Sequence, residues 1–98
     1  MPINITEKTR AKLAAEHDVG EPEVHQCITN RTGKVLFDTR AQHQTNPPTV
    51  WFIAPTNRGR LLKVVYIRRG ADFDIRTCYE PNADELRLYR TYGLPTDF

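Results

Sequence analysis

Residues 49–79 decide the fold. They read Thr49-Val50-Trp51-Phe52-Ile53-Ala54, then Asn57-Arg58-Gly59, then Leu61-Leu62-Lys63-Val64-Val65-Tyr66-Ile67, then Arg69-Gly70-Ala71-Asp72, then Phe73 to Tyr79. The first block is rich in β-branched and aromatic residues, which fit a pleated, half-buried surface. Asn57-Arg58-Gly59 reads as a hairpin turn. Leu61 to Ile67 is a near-continuous apolar run, the pattern of a central strand covered on both faces. Gly70-Ala71 supplies the next turn, and Pro81 ends the strand that follows. Three consecutive strands joined by tight turns specify an antiparallel meander.

The flanks complete it. Thr6 is a good N-cap for a helix running to about His17, with Ala11, Leu13, Ala14 and Ala15 as its apolar stripe. Gly20 breaks that helix, and Pro22 suits the first turn of a second one reaching about Ile28. Lys34 to Asp38 is a further expected strand, and Thr39 to Thr49 a polar loop ending at Pro47-Pro48. After Pro81, Asn82 and Glu85 have the spacing of a capping box that opens a last helix carrying Leu86, Leu88, Tyr89 and Tyr92. The expected architecture is α+β: a four-stranded antiparallel meander with two N-terminal helices and a C-terminal helix packed on one face. Residues 1–92 form one domain, and 93–98 are expected to fray.

Composition bounds the function. A chain of 98 residues builds one modest core, which excludes large multidomain enzymes and full Rossmann or barrel architectures. Met1 begins no charged-then-apolar signal segment, and no apolar stretch approaches membrane length, so a cytoplasmic location and no membrane partner are expected. Cys27 and Cys78 are too few and too far apart for a disulfide framework. The net charge is only +2, but it is unevenly placed. Arg58, Arg60, Lys63, Arg68 and Arg69 form a run with no acid between Trp51 and Ala71. Such a stripe suits phosphate or an acidic partner. It also suits strand ends kept soluble by arginine.

A two-residue loop at Gly70-Ala71 would pair Arg69 with Asp72, Ile67 with Asp74, Val65 with Arg76, Lys63 with Cys78 and Leu61 with Glu80. Cross-strand partners share a face. One face would carry Leu62, Val64, Tyr66, Phe73, Ile75, Thr77 and Tyr79, and the helices are expected there. The other would bring Lys63, Arg76 and Glu80 within reach of one another.

No phosphate-cradling glycine loop, paired-cysteine zinc spacing or nucleophile elbow is present, so no metal and no cofactor is expected. His25 and Cys27 point in different directions on a helix. His17 reads as a residue at a helix C-terminus, facing the dipole, and His43 as a solvated loop side chain. Cys78 becomes reactive only if Lys63 or Arg76 lowers its pKa. The constellation with chemical potential is Lys63, Arg76, Tyr79 and Glu80, with Arg58, Arg60, Arg68 and Arg69 as nucleic-acid contacts. Metal-free RNA cleavage needs an aligned 2′-hydroxyl, a proton acceptor, cations against phosphorane charge and a donor for the leaving oxygen. Lys and Arg supply charge, Tyr donates and Glu accepts. The plainer reading is a cross-strand Lys–Glu pair beside a buried tyrosine.

A resemblance runs from about Glu7 to Tyr89. Glu16-His17-Asp18-Val19 with Glu23, Trp51-Phe52-Ile53, Arg58-Gly59-Arg60-Leu61-Leu62-Lys63-Val64-Val65-Tyr66, Arg69-Gly70, Ile75-Arg76-Thr77, and Glu85 with Tyr89 form an ordered series. The series resembles the BrnT-like toxins of type II toxin–antitoxin systems, within the RelE/ParE-like superfamily. The resemblance implies a RelE-like fold and metal-independent endoribonuclease activity. It also implies an RNA substrate and a cognate antitoxin protein, with DNA met only through that antitoxin. Where such toxins typically read Ser-Ala-Arg, this chain reads Thr77-Cys78-Tyr79, with tyrosine at the position of a favoured active-site arginine. An alternative of another class is a non-catalytic domain of the same fold that binds a protein partner. Tyr79-Glu80-Pro81 is also similar to small proteins labelled ADP-ribosyl-dinitrogen-reductase hydrolase. Enzymes with that activity are larger, all-helical and hold two metals on clustered aspartates, whereas the aspartates here are scattered.

Overall fold

The computed structural model describes residues 2–39 and 45–98, so His43 lies outside the described residues. The elements in order are β1 (Ile3–Asn4), α1 (Glu7–His17), α2 (Glu21–Asn30), β2 (Leu36–Phe37), β3 (Thr49–Pro55), β4 (Leu61–Arg69), β5 (Asp72–Tyr79) and α3 (Ala83–Tyr92). The sheet order is β1-β5-β4-β3-β2. The α+β class and the antiparallel run β2 to β5 follow the sequence expectation. The sheet is nevertheless five-stranded and mixed, because Ile3 and Asn4 add to β5 in parallel opposite Phe73 and Asp74. Nothing in a two-residue strand distinguishes it from coil locally; only its position at the open β5 edge creates it. No helix among the described residues is long and apolar enough to cross a membrane.

The helix ends are set by local chemistry. The Thr6 hydroxyl accepts the Thr9 N–H at 3.1 Å and opens α1. The Glu23 carboxylate reaches back to the Gly20 N–H at 3.1 Å and opens α2 one residue before Pro22. The expected strand over 34–38 shrinks to Leu36–Phe37. Segment 93–98, expected to fray, is tied down. The Gly93 carbonyl accepts the Lys34 N–H at 2.8 Å, the Thr32 hydroxyl donates to Asp97 at 2.8 Å, and Phe98 stacks on Tyr89.

The β4–β5 hairpin carries the most consequential difference. Its turn is as expected: Arg69 opposes Asp72, Ile67 opposes Asp74, and Gly70 has a φ of +62° that favours glycine. Past Tyr66, which opposes Ile75, a bulge intervenes and Val65 opposes Thr77 instead of Arg76. Arg76 is the extra residue. A one-residue shift moves every later side chain to the other face. Cys78 therefore lies opposite Val64, and Tyr79 opposite Lys63. The pairings expected for Lys63 with Cys78 and Leu61 with Glu80 do not form.

Helix contacts fall on both faces instead of one. Glu85 of α3 bonds Lys63 and Tyr79. Cys27 of α2 is close enough to Cys78 to be felt electrostatically, and Arg31, just beyond α2, lies over the Phe52 ring. The core runs through Leu62, Val64, Phe52, Ile53, Val24, Cys27, Leu13 and Tyr89, all at 2% exposure or less. Burial pushes the Cys27 thiol up to about 12 and the Cys78 thiol higher still, so neither is an activated nucleophile.

Candidate functional site: a lysine, a glutamate and a tyrosine at an aromatic-lined cavity

Lys63 interrupts an otherwise apolar strand. Residues 62–67 of β4 are all buried, and Lys63 is the one charged residue in that class among the described residues. An ammonium removed from water needs a counter-charge and hydrogen bonds. Glu85 provides both: its Oε2 accepts from Lys63 Nζ at 2.8 Å. The same oxygen accepts the Tyr79 hydroxyl at 2.7 Å. Lys63 Nζ also lies 4.4 Å from the centre of the Trp51 ring and 5.6 Å from that of Tyr79, cation–π distances that further compensate its charge.

Three elements converge to make this arrangement. Trp51 and Lys63 share a face because Trp51 opposes Val65 and Ile53 opposes Lys63. The β5 bulge turns Tyr79 onto that face. The capping box of α3 delivers Glu85: its Oε1 accepts the Asn82 N–H at 3.0 Å, while Asn82 Oδ1 accepts the Glu85 N–H at 2.8 Å. One carboxylate thus closes the helix with one oxygen and holds Lys63 and Tyr79 with the other. Partial burial pushes the Glu85 carboxyl upward. Hydrogen bonds from Lys63, Asn82 and Tyr79 together outweigh that and hold it below its ordinary value. His17, the last residue of α1, places its ring 5.5 Å from that of Tyr79.

Lys63 and Glu85 stand on the wall of a cavity of about 540 Å³, lined also by Leu36, Phe37, Asp38, Thr39, Trp51, Leu88 and Tyr92. An apolar cleft of this size with a few convergent polar groups is a default ligand-site candidate.

The other expected site residues go elsewhere. Glu80 bonds Arg60 Nε at 3.1 Å. Arg60 also bonds Glu23 and donates to the Asp18 and His17 carbonyls at 2.7 and 3.0 Å, so it braces α1, α2, β4 and β5 instead of meeting a ligand. Arg69 is paired with Asp74 at 2.7 Å, and Arg68 Nε turns to the Gly70 carbonyl. Much of the basic stripe is therefore neutralised internally. Arg76 lines a separate depression of about 550 Å³ with Lys8, Lys12 and Arg69, where Asp74 is the only acid. Among the described residues Arg76, Lys8 and Arg58 make no ion pair. The expected constellation held both Lys63 and Tyr79 but on opposite faces of the sheet; the bulge brings them together, and Glu85 was missed as their partner. The available signal was the buried lysine itself, which demanded an acid from outside the sheet.

Comparison of the chain with protein-family models, curated proteins and solved structures returns no match.

Proposed function

We propose that the chain is a toxin-like, metal-independent endoribonuclease of the RelE/BrnT type. The observation that carries this reading is the single Glu85 oxygen shared by Lys63 and Tyr79 on the wall of an open cavity. Glu85, held ionised, accepts the proton of a ribose 2′-hydroxyl. The 2′-oxygen attacks phosphorus, and the bond to the 5′-oxygen breaks. Lys63 offsets the phosphorane charge and returns a proton to the leaving 5′-oxygen, leaving a 2′,3′-cyclic phosphate and a 5′-hydroxyl. Tyr79 holds the carboxylate in place. Arg76 and Lys8, which make no ion pair among the described residues, contact phosphates further along the strand together with Lys12, while Arg69 stays on Asp74. A cognate antitoxin covers this surface, and operator DNA is met only through that protein.

The test is induced expression of wild type beside Lys63→Ala, Tyr79→Phe and Arg76→Ala, with purified protein incubated with RNA in a chelator. Growth arrest and cleavage by wild type alone support the reading; healthy growth with intact RNA at high soluble expression overturns it. Arg76→Ala is exposed and costs the fold little, so it isolates the phosphate contact. If three cations meet single-stranded phosphates, log affinity falls with log salt at a slope of about −2.

A second reading, a non-catalytic domain that binds a protein partner, is favoured by the exposure of Phe37, Leu88 and Tyr92 around the same cavity. Soluble wild type without cleavage, co-purifying with a defined protein, selects it.

A further inference from the structure

Four large apolar side chains are exposed among the described residues: Phe37, Leu88, Tyr92 and Leu94, at 67%, 47%, 61% and 58%. Three of them, all but Leu94, rim one cavity. The rings of Phe37, Trp51 and Tyr92 come from β2, β3 and α3, so three separate elements bring aromatic surface to one place. Exposed aromatic rings gathered around a cleft mark a binding surface and not a defect of packing. The floor is not apolar: Lys63 presents a donor and Glu85 an acceptor.

We infer that this cavity is a pocket for one unpaired nucleobase, stacked against Phe37 and Tyr92 with its polar edge toward Lys63 and Glu85. The inference rests on the RNA reading and names what the site grips. Several features favour a base over an apolar peptide. A planar heterocycle uses ring faces and a mixed donor–acceptor floor together, and unstacked bases are characteristically held this way. A cavity of about 540 Å³ is of ordinary size for a small ligand and has no need of a long groove. If Glu85 takes the 2′-hydroxyl proton, the attached base has this cavity to enter. The pocket then orients the ribose, which is the costliest requirement of metal-free cleavage.

Trp51 is the only tryptophan and lines the cavity, so its fluorescence reports occupancy directly. The probes are a 2′-deoxy hexaadenylate and a hexamer of abasic deoxynucleotides with the same phosphate count. Neither has a 2′-hydroxyl, so binding is read apart from cleavage. The hexaadenylate should change Trp51 emission and bind more tightly than the abasic strand. Phe37→Ala and Tyr92→Ala, both on exposed side chains, should keep the wild-type melting midpoint and weaken hexaadenylate binding about 5- to 150-fold each, the range for loss of one base–aromatic stack. Equal affinity for the two strands overturns the inference, as does unchanged affinity in both variants. If an apolar peptide quenches Trp51 while hexaadenylate does not, the cavity belongs to a protein partner and the inference is refuted. Base-dependent binding without RNA cleavage keeps the pocket and sinks only the catalytic proposal. Cleavage with no base-dependent binding does the reverse.

Discussion

Replacing Glu85 by glutamine strands a buried cation. The Lys63 side chain is 6% exposed and that of Glu85 20%. Glutamine keeps the shape, and its carbonyl, placed where Oε2 now lies, still accepts from Lys63 and Tyr79, while its amide nitrogen cannot accept the Asn82 N–H. What is lost is the charge. Removing one member of a buried pair costs about 3–5 kcal/mol. Glu85 is partly wet, so water recovers some of this, and about 2–3 kcal/mol is expected. In urea that is a midpoint shift of about 1–2 M at unchanged slope, and in a thermal melt a fall of about 10–20 °C for a domain of this size. Adding Lys63→Met to Glu85→Gln removes the stranded charge and should recover about 1 kcal/mol or more. The pH dependence has a definite sign. The folded carboxyl ionises below its ordinary 4.5, so its contribution is complete above that value and is lost as pH falls through the folded pKa. The gap between wild type and Glu85→Gln therefore stays constant above about pH 5 and narrows in acid. A Glu85→Gln protein within about 0.5 kcal/mol of wild type would refute the account, since surface changes fall in that range. Further loss on adding Lys63→Met would refute it equally.

Other expectations follow from the same geometry. Arg60→Lys keeps the charge but not the planar fork that spans Glu23, Glu80 and two carbonyls, so it should lower stability by about 1–2 kcal/mol in urea titrations. Gly33→Ala would drive a methyl into the Tyr89 hydroxyl and to 2.9 Å from the Gly93 carbonyl; a loss of about 1–3 kcal/mol should appear in a circular-dichroism melt, and an unchanged melt would disprove the close packing. Cys27 and Cys78 are both buried with raised thiol pKa values, so an aromatic disulfide reagent at pH 8 should label neither in the native protein and both in urea. Fast native labelling of either would contradict the packing of α2 on the sheet.

Several parts of the structure were legible from local chemistry. Thr6, Gly20 and Asn82 mark the three helix starts because caps act within one turn. The two-residue loop at Gly70-Ala71 is readable because only a few residue types tolerate its backbone. Its register is transmitted down the ladder as far as Tyr66 and Ile75. Lys63 and Tyr79 were both singled out as chemical groups, and both stand in the site. Arg76 and Glu80 were singled out with them and stand elsewhere, because that grouping assumed an unbroken ladder.

The sequence by itself determined the three helices, the three long strands and the turns between those strands, and it placed a lysine within the apolar run of the central strand. Those properties depend on side chains within a few residues of one another. Only the tertiary structure decided what that lysine meets. The bulge at Arg76 reverses the faces of Cys78 and Tyr79, sending the thiol into the core and the phenol to Lys63. The far end of a capping box, 22 residues along the chain from Lys63, then supplies the acid that joins them. A bulge is a property of two strands fitting together, and a counter-ion is a property of two surfaces meeting. Neither is written in the local alternation of apolar and polar residues.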